Sequence, residues 1–258
     1  MKVAIIGSGA IGAFVRERLV DLGVTEVAQI VRAGKEDAVS SPPRLSSLAD
    51  IPTKPDLIID CGGHTALAQF GPNALAMGID VLTVSLGALA NSTLEADLKH
   101  AAQNGGARLH LASGAIGGLD ALRSAAAGYL SSVTYKGRKP PQGWYGSPAE
   151  EKTDLGRLTE AFTHFQGTAR EAALAYPKNA NVAAAVALSG LGMDDTRVEL
   201  IADPNVNENI HEVVATGDFG QFSFQIAGQG LPGSPKSSAL AAMSVVASVA
   251  ELQKEIGF

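Results

Sequence analysis

Residues 7–12 read GSGAIG, three glycines in the GxGxxG spacing. They follow the short apolar run Val3–Ile6 and open a segment, Ile11–Leu22, whose apolar residues Phe14, Val15, Leu19 and Leu22 recur at helical spacing. A second apolar run, Val27–Val31, lies where a βαβ unit places its next strand. Few folds satisfy that order. A strand, a glycine turn and a helix in succession feed a parallel sheet, because parallel strands need a crossover connection and the helix supplies it. Gly7 then permits the tight turn, Gly9 lets backbone approach a pyrophosphate, and Gly12 allows close packing of helix on strand. The anion is expected on the free N–H groups at the helix start, Ala10 and Ile11, and on the positive end of the helix dipole.

The alternation continues. Leu57–Asp60, Asp80–Val84 and Arg108–Ala112 read as strands, separated by helices at Ala66–Met77 and Leu94–Asn104. Continuous apolar runs alternating with helices mean a parallel sheet covered on both faces. Between them AGKEDAVSSPPRL is polar and proline-bearing, with no expected core structure. After about Gly118 the grammar changes. A helix is expected over Leu119–Leu130, then the strand SSVTYKGRKPP, helix starts at Ser147-Pro148 and Thr153-Asp154, and the small-residue helix NANVAAAVALSG. TRVELIAD, HEVVATG and FGQFSFQIAG have strand character, the last two joined at Gly217-Asp218 by a short hairpin signal. The expected fold is α/β: an N-terminal Rossmann dinucleotide-binding domain (1–118), then a C-terminal α+β domain with a mainly antiparallel sheet (119–233). One long amphipathic helix, 234–258, is expected to return to the first domain.

Composition narrows the function. A net charge of −6, with Lys and Arg scattered, argues against a nucleic-acid partner. No apolar stretch approaches the roughly 20 residues that span a bilayer, and the first run is too short for a signal-peptide core. A single cysteine, Cys61, excludes an internal disulfide framework, so a reducing, cytoplasmic setting is expected. No His, Cys and carboxylate spacing resembles a metal site, so no metal is expected.

An NAD-preferring site carries Asp or Glu at the tip of the second strand, where it bonds the ribose hydroxyls. Here the tip offers Arg32, which can accept a 2′-phosphate or stack on adenine. NADP is therefore favoured over NAD, with Glu36 and Asp37 still able to reach a ribose. The third strand ends in DCGGH, where Gly62 and Gly63 permit close approach of the cofactor. Cys61 has no partner base at a recognisable spacing and is expected to line the cofactor site as a small buried residue. His64 reads first as a loop or cap residue, His100 and His164 as surface residues in helical segments, and His110 as structural. His211 differs, because ADPNVNENIHEVVATG is unusually polar for a loop leading into a strand. It is either a turn-rich surface loop or one presenting amides beside a proton-transfer group. Asn181 can cap the helix that follows it or reach a nicotinamide carboxamide.

Seven stretches in order then carry a resemblance: GSGAIG, SLGAL (85–89), SGAIGGLDAL (113–122), KGRKPP (136–141), YPKNANVAA (176–184), ADPNVNENIHEV (202–213) and SPKSSALAAMS (234–244). Together they resemble the L-aspartate dehydrogenase family over nearly the whole chain. The resemblance implies NAD(P)-dependent, reversible oxidative deamination of L-aspartate to oxaloacetate and ammonia through iminoaspartate, by a homodimer whose second domain supplies substrate and dimer contacts. It implies that His211 is the catalytic residue and that Ala115 and Asn181 contact the cofactor. A dicarboxylic substrate requires cationic and amide donors. On chemical grounds, not from the resemblance, the candidates are Lys236, Asn207, Lys178 and, more weakly, Ser237, with Lys236 and Ser237 placed at the start of the last helix. Two rivals stay open: another Rossmann plus α+β reductase of amino-acid metabolism, and a non-enzymatic NAD(P) sensor that needs no proton-transfer residue.

Overall fold

The computed structural model describes residues 1–256 and divides into two units. The first comprises residues 1–88, 92–114 and the chain from Ala241 onward; the second comprises 89–91 and 115–240. The last two residues of the expected terminal helix, 257 and 258, lie outside the described residues.

In the first unit the elements run β1 (Lys2–Ile6), α1 (Ala10–Asp21), β2 (Thr25–Ile30), β3 (Arg44–Leu45), β4 (Leu57–Asp60), α2 (His64–Ala76), β5 (Asp80–Thr83), α3 (Ser92–Gly105) and β6 (Leu109–Leu111). The six strands are all parallel and lie in the order β3-β2-β1-β4-β5-β6. Val3, Ala4, Ile5 and Ile6 are all buried, as a strand covered on both faces requires. Strand order reverses between β1 and β4, and the turns after both strands therefore meet at the crevice where such sheets bind ligands. The segment expected to be irregular contributes the two-residue β3, which adds to the sheet edge through Gln29 and Ile30.

The second unit contains α4 (Leu119–Ala126), β7 (Leu130–Lys139), β8 (Phe162–Thr168), α5 (Ala169–Ala175), α6 (Asn181–Ser189), β9 (Arg197–Ala202), β10 (Asn209–Gly217), β11 (Gly220–Gly228), β12 (Gly230–Leu231) and β13 (Ser234–Ser238). Its main sheet has the order β11-β10-β7-β9-β8, antiparallel throughout except for the β7–β9 pair. Burial alternates along β7 and β10, which gives the sheet one buried face. Helix α6 packs on β7, and α4 and α5 pack on α6. From Val182 to Ala187 every α6 side chain is buried, and their small size lets its neighbours approach on all sides.

Two expected helices are shorter than their periodicity predicts. The helix from Leu119 stops at Ala126, because Gly128 follows and Leu130 is already paired with Gly217. At the far end, Ser234–Ser238 forms β13, not helix. A turn through Gly233 (φ 75°) folds it back on β12, and only then does α7 (Ala239–Leu252) begin. Val245 and Val249 of α7 are fully buried with Val3, Ile5, Val15, Leu57, Ile59 and Leu82 in the core of the first unit. Among the described residues no helix is long and apolar enough to cross a membrane.

Candidate active site

In the first unit the glycine turn is set by contact as well as by conformation. Gly7 has φ 102°, and a Cβ on it would lie 2.9 Å from both the Cys61 carbonyl oxygen and the Gly62 Cα. Gly9 is different: nothing lies within 4 Å of where its Cβ would be, and it caps α1 with no side-chain hydrogen bond. Packing does not demand glycine there, and the open space leaves the first N–H groups of α1, at Ala10 and Ile11, open to close approach by a ligand. Gly12 lets α1 rest against the Gly7 carbonyl. The facing turn is organised by Asp60. Its buried carboxylate accepts from Thr83 Oγ1 (2.7 Å), Ser85 Oγ (2.8 Å) and the Gly62 N–H (2.9 Å). Burial pushes the Asp60 carboxyl up against these bonds. Burial and the Asp60 charge push the Cys61 thiol up as well, so Cys61 lacks the thiolate character of a nucleophile.

A cavity of about 250 Å³ opens beside this turn, lined by Ser8, Arg16, Gln29, Ser40, Ser41 and Arg44 among others. Arg44 Nε is buried and has no hydrogen-bond partner. Arg32, on which the sequence reading placed the adenosine-end preference, is exposed and is not among the residues lining the cavity. Arg44 was missed because it sits 12 residues further on, after a proline-bearing segment whose return to the sheet edge no local pattern announces. Asp37 pairs with Arg44 through backbone, and the Ser46 hydroxyl and nearby backbone hold the Glu36 carboxyl below its ordinary value. The open space over Gly9, the uncapped helix start and the orphaned Arg44 Nε fit a nicotinamide dinucleotide.

In the second unit His211 lies within β10, where the strand character of HEVVATG put it, paired across the sheet with Gly137 and Ile226. The asparagine-rich run that resembles a loop ends at Asn209. It is held by Asp203, which accepts from the Asn205 N–H (2.9 Å) and the Arg138 guanidinium. His211 is 4% exposed. Its Nδ1 is 2.8 Å from the Tyr135 hydroxyl, which fixes the ring and leaves Nε2 for other partners. Burial, and then the positive charge of Lys139, push the imidazole down to about 4, so it is neutral at neutral pH. Tyr135 is itself buried, and burial pushes its phenol up, so it stays a neutral hydrogen-bonding group. Gly137 makes the pair possible, since a Cβ there would stand 2.7 Å from the Tyr135 hydroxyl oxygen.

Next to this pair is a cluster that sequence reasoning did not assemble. Lys139 ends β7, with Nζ donating to Asn179 Oδ1 (2.8 Å) and lying 4.8 Å from the Trp144 ring centroid. His164, expected at the surface in a helix, is instead buried in β8. It packs edge-on to Trp144 (4.4 Å) with Nδ1 3.2 Å from the Tyr176 hydroxyl. The charges near it in sequence, Glu160 and Arg170, lie outside β8, and within the strand FTHFQGT the only ionisable side chain is that of His164 itself. The available signal for Lys139 was the KGRKPP stretch itself, a lysine at a strand end just before a proline stop.

The remaining candidates are spread through the second unit. Ala115 is buried, and Asn181 is the first residue of α6 rather than its cap, which is Ala180. Lys178 and Asn207 are exposed in the turns before α6 and β10. Lys236 is exposed and Ser237 bonds Ser234 (3.0 Å). Both belong to β13, so the helix-start argument for them does not hold.

Comparison with known proteins gives the family. The family model described as "Aspartate dehydrogenase, C-terminal" matches residues 120–252, and "Homoserine dehydrogenase, NAD binding domain" matches residues 6–112. An L-aspartate dehydrogenase of Ruegeria pomeroyi is 54% identical over 96% of this chain and 91% of its own length. One of Pseudomonas aeruginosa is 48% identical over 95% of each. The crystal structure of an aspartate dehydrogenase from Thermotoga maritima superposes with a TM-score of 0.79 at 27% identity, covering 100% of this chain and 99% of that one. A hyperthermophilic archaeal homoserine dehydrogenase, at 13% identity and a TM-score of 0.61, shares the fold. By sequence, by domain composition and by fold, the chain belongs to the L-aspartate dehydrogenase family.

Proposed function

We propose that the chain catalyses NAD(P)-dependent oxidative deamination of L-aspartate to oxaloacetate and ammonia, through iminoaspartate. One observation carries the chemical part of the reading. A buried histidine is held neutral and oriented by Tyr135, directly after an amide-rich loop, in a chain whose other unit is built for a dinucleotide. The dinucleotide, when bound, supplies the acceptor for the hydride that leaves the substrate Cα. Ala10, Ile11 and the glycine turn hold its pyrophosphate; Cys61 and Gly62 border its path, and Ala115 and Asn181 contact it.

Loss of hydride and a proton leaves the imine, to which water must add. His211 Nε2 takes the proton from that water as its oxygen bonds to the imine carbon, while Tyr135 holds Nδ1. That proton passes to the nitrogen to give a carbinolamine. The carbinolamine hydroxyl then gives its own proton, through His211, to the same nitrogen, so the C–N bond breaks and ammonia leaves as the C=O of oxaloacetate forms. A histidine pushed down to about 4 is free to accept at neutral and alkaline pH. Exposed Asn207, Lys178 and Lys236 can contact the substrate carboxylates only from solvated positions, and Ser237 adds a weaker donor.

The cofactor preference follows from Arg44. Its unpartnered Nε, with Ser40, Ser41 and Ser8 in the same cavity, suits the 2′-phosphate of NADP, and exposed Arg32 adds positive potential. Assembly as a homodimer through the second unit belongs to the same reading, and a single-chain mass by light scattering would count against it.

The test is absorbance of reduced nicotinamide with L-aspartate, D-aspartate, L-glutamate or L-homoserine, each with NAD and with NADP. Turnover is expected with L-aspartate alone. His211→Ala should lower kcat by about 10²–10⁴-fold with cofactor binding retained. Full activity in that variant, or preference for another substrate, would refute the reading.

A further inference from the structure

Lys139 is placed by the sheet. Gly137 pairs with His211 across β7 and β10, and Lys139 is two residues along β7. Alternation puts Tyr135, Gly137, Lys139 and His211 on one face, with Lys139 and His211 about one strand spacing apart laterally and two residues apart along the strand. Its neighbour Arg138 falls on the other face and is paired with Asp203. Lys139 has no such counter-ion: among the described residues its partners are the Asn179 amide and the Trp144 ring. An ammonium has three donors. One is used by Asn179, and the ring occupies another direction.

We propose that Lys139 is the anchor for one carboxylate of the substrate, aimed by Asn179 and Trp144 toward the same space as His211. This rests on the reading that the substrate is L-aspartate, and it assigns to that site a cation outside the set suggested by the sequence. Lys139 is half-buried, and a cation partly withdrawn from water without an anion is costly, so such groups in folded proteins are ordinarily paired. Burial already pushes Lys139 down to about 8, and its charge lowers both His164 and His211. An arriving carboxylate relieves both effects. It restores the full charge of the lysine and removes the repulsion that opposes a proton on His211, so the base becomes stronger when substrate is present. Exposed Lys178 and Lys236 cannot act in this way, because water screens them before and after binding.

The experiment compares wild type, Lys139→Met and Lys139→Arg, each with NADPH bound. Calorimetry gives the affinity for succinate, a dicarboxylate, and for butyrate, a monocarboxylate of the same length; kinetics gives kcat and KM for L-aspartate. Lys139→Met should weaken succinate and raise KM by about 30- to 300-fold, with butyrate and NADPH affinity within about twofold of wild type. Lys139→Arg should recover most of the succinate affinity. Equal losses for succinate and butyrate, or succinate affinity within threefold of wild type in Lys139→Met, would overturn the assignment. In case Lys139→Met does not fold, NMR of the wild-type His211 ring provides the second measurement: succinate, but not butyrate, should raise its titration midpoint, and an unmoved midpoint overturns the proposal. Failure of wild type to oxidise L-aspartate, with succinate still bound through Lys139, would strike the reaction and not the anchor.

Discussion

Replacing Gly137 by alanine isolates the contact that brings Tyr135 to His211. Gly137 is not among the positive-φ glycines, so its backbone accommodates alanine and the effect comes from the Cβ alone. That atom would stand 2.7 Å from the Tyr135 hydroxyl oxygen, 3.2 Å from its Cζ and 3.3 Å from Leu200 Cδ2. Ordinary contact begins near 3.4 Å, so the hydroxyl must retreat by 3.4 − 2.7, about 0.7 Å, which is enough to take its 2.8 Å bond with His211 Nδ1 out of range. Overpacking costs about 1–3 kcal/mol and leaving a buried ring nitrogen unpaired costs a similar amount. A net loss of about 2 kcal/mol lowers Tm by roughly 4–8 °C for a chain of this size. The freed ring should reduce kcat by about tenfold or more, with NADPH affinity unchanged. A Tyr135→Phe background supplies the decisive arm. With the oxygen gone the nearest contact is the 3.2 Å one, so Gly137→Ala should cost about 1 kcal/mol less there than in wild type. Scanning calorimetry of the four proteins measures it. An unchanged Tm and kcat in Gly137→Ala, or the same cost in both backgrounds, would refute the reasoning.

Arg44→Leu should weaken NADPH by about 10- to 100-fold and NADH by less than threefold, read from the fluorescence of the bound reduced cofactors; equal losses would place Arg44 outside the 2′-phosphate site. His164 and His211 are both pushed down to about 4 by burial and by the Lys139 charge, below an unfolded value near 6.5. Their contribution to stability is therefore present above pH 6.5 and is lost as pH falls toward 4, because the unfolded chain binds two protons that the native one does not. The expected slope reaches about 2.7 kcal/mol per pH unit (2 × 1.36). Urea unfolding between pH 6.5 and 5 measures it, and an unaltered slope in His164→Gln would remove His164 from the account.

Much of the architecture was legible because it depends on local rules. Val3–Ile6 and Leu57–Ile59 are continuous apolar runs, and only a strand covered on both faces buries every residue of such a run. GSGAIG announces a turn because Gly7 must adopt positive φ against the Cys61 carbonyl, a requirement that no other residue type meets cheaply. The hairpin at Gly217-Asp218 and the small-residue helix α6 follow from the same kind of chemistry. Where the reading departed from the structure, two local preferences competed. SPKSSAL carries helix-start residues, yet the turn at Gly233 lets Ser234–Ser238 close a ladder with β12 before α7 begins. HEVVATG, by contrast, was legible as a strand, and β10 extends it by only two residues, with β7 and β11 supplying both sets of ladder bonds.

The candidate site divides along the same line. The sequence by itself determined the parallel sheet, the glycine turn at Gly7–Gly12 and, through ordered motifs, the family whose resemblance points to His211 as the catalytic candidate. These rest on period, turn conformation and residue chemistry, all of which are local. Only the tertiary structure decided that Arg44 and not Arg32 lines the cavity beside the glycine turn, that His164 is buried, and that Tyr135 and Lys139 share a sheet face with His211. The last of these depends on register between strands about 75 residues apart in the chain, and the first two on the pairing of β3 with β2 and of β8 with β9. Alternation within each strand fixes which residues share its buried face, but which residue of β10 stands opposite Gly137 is decided only when the two strands pair.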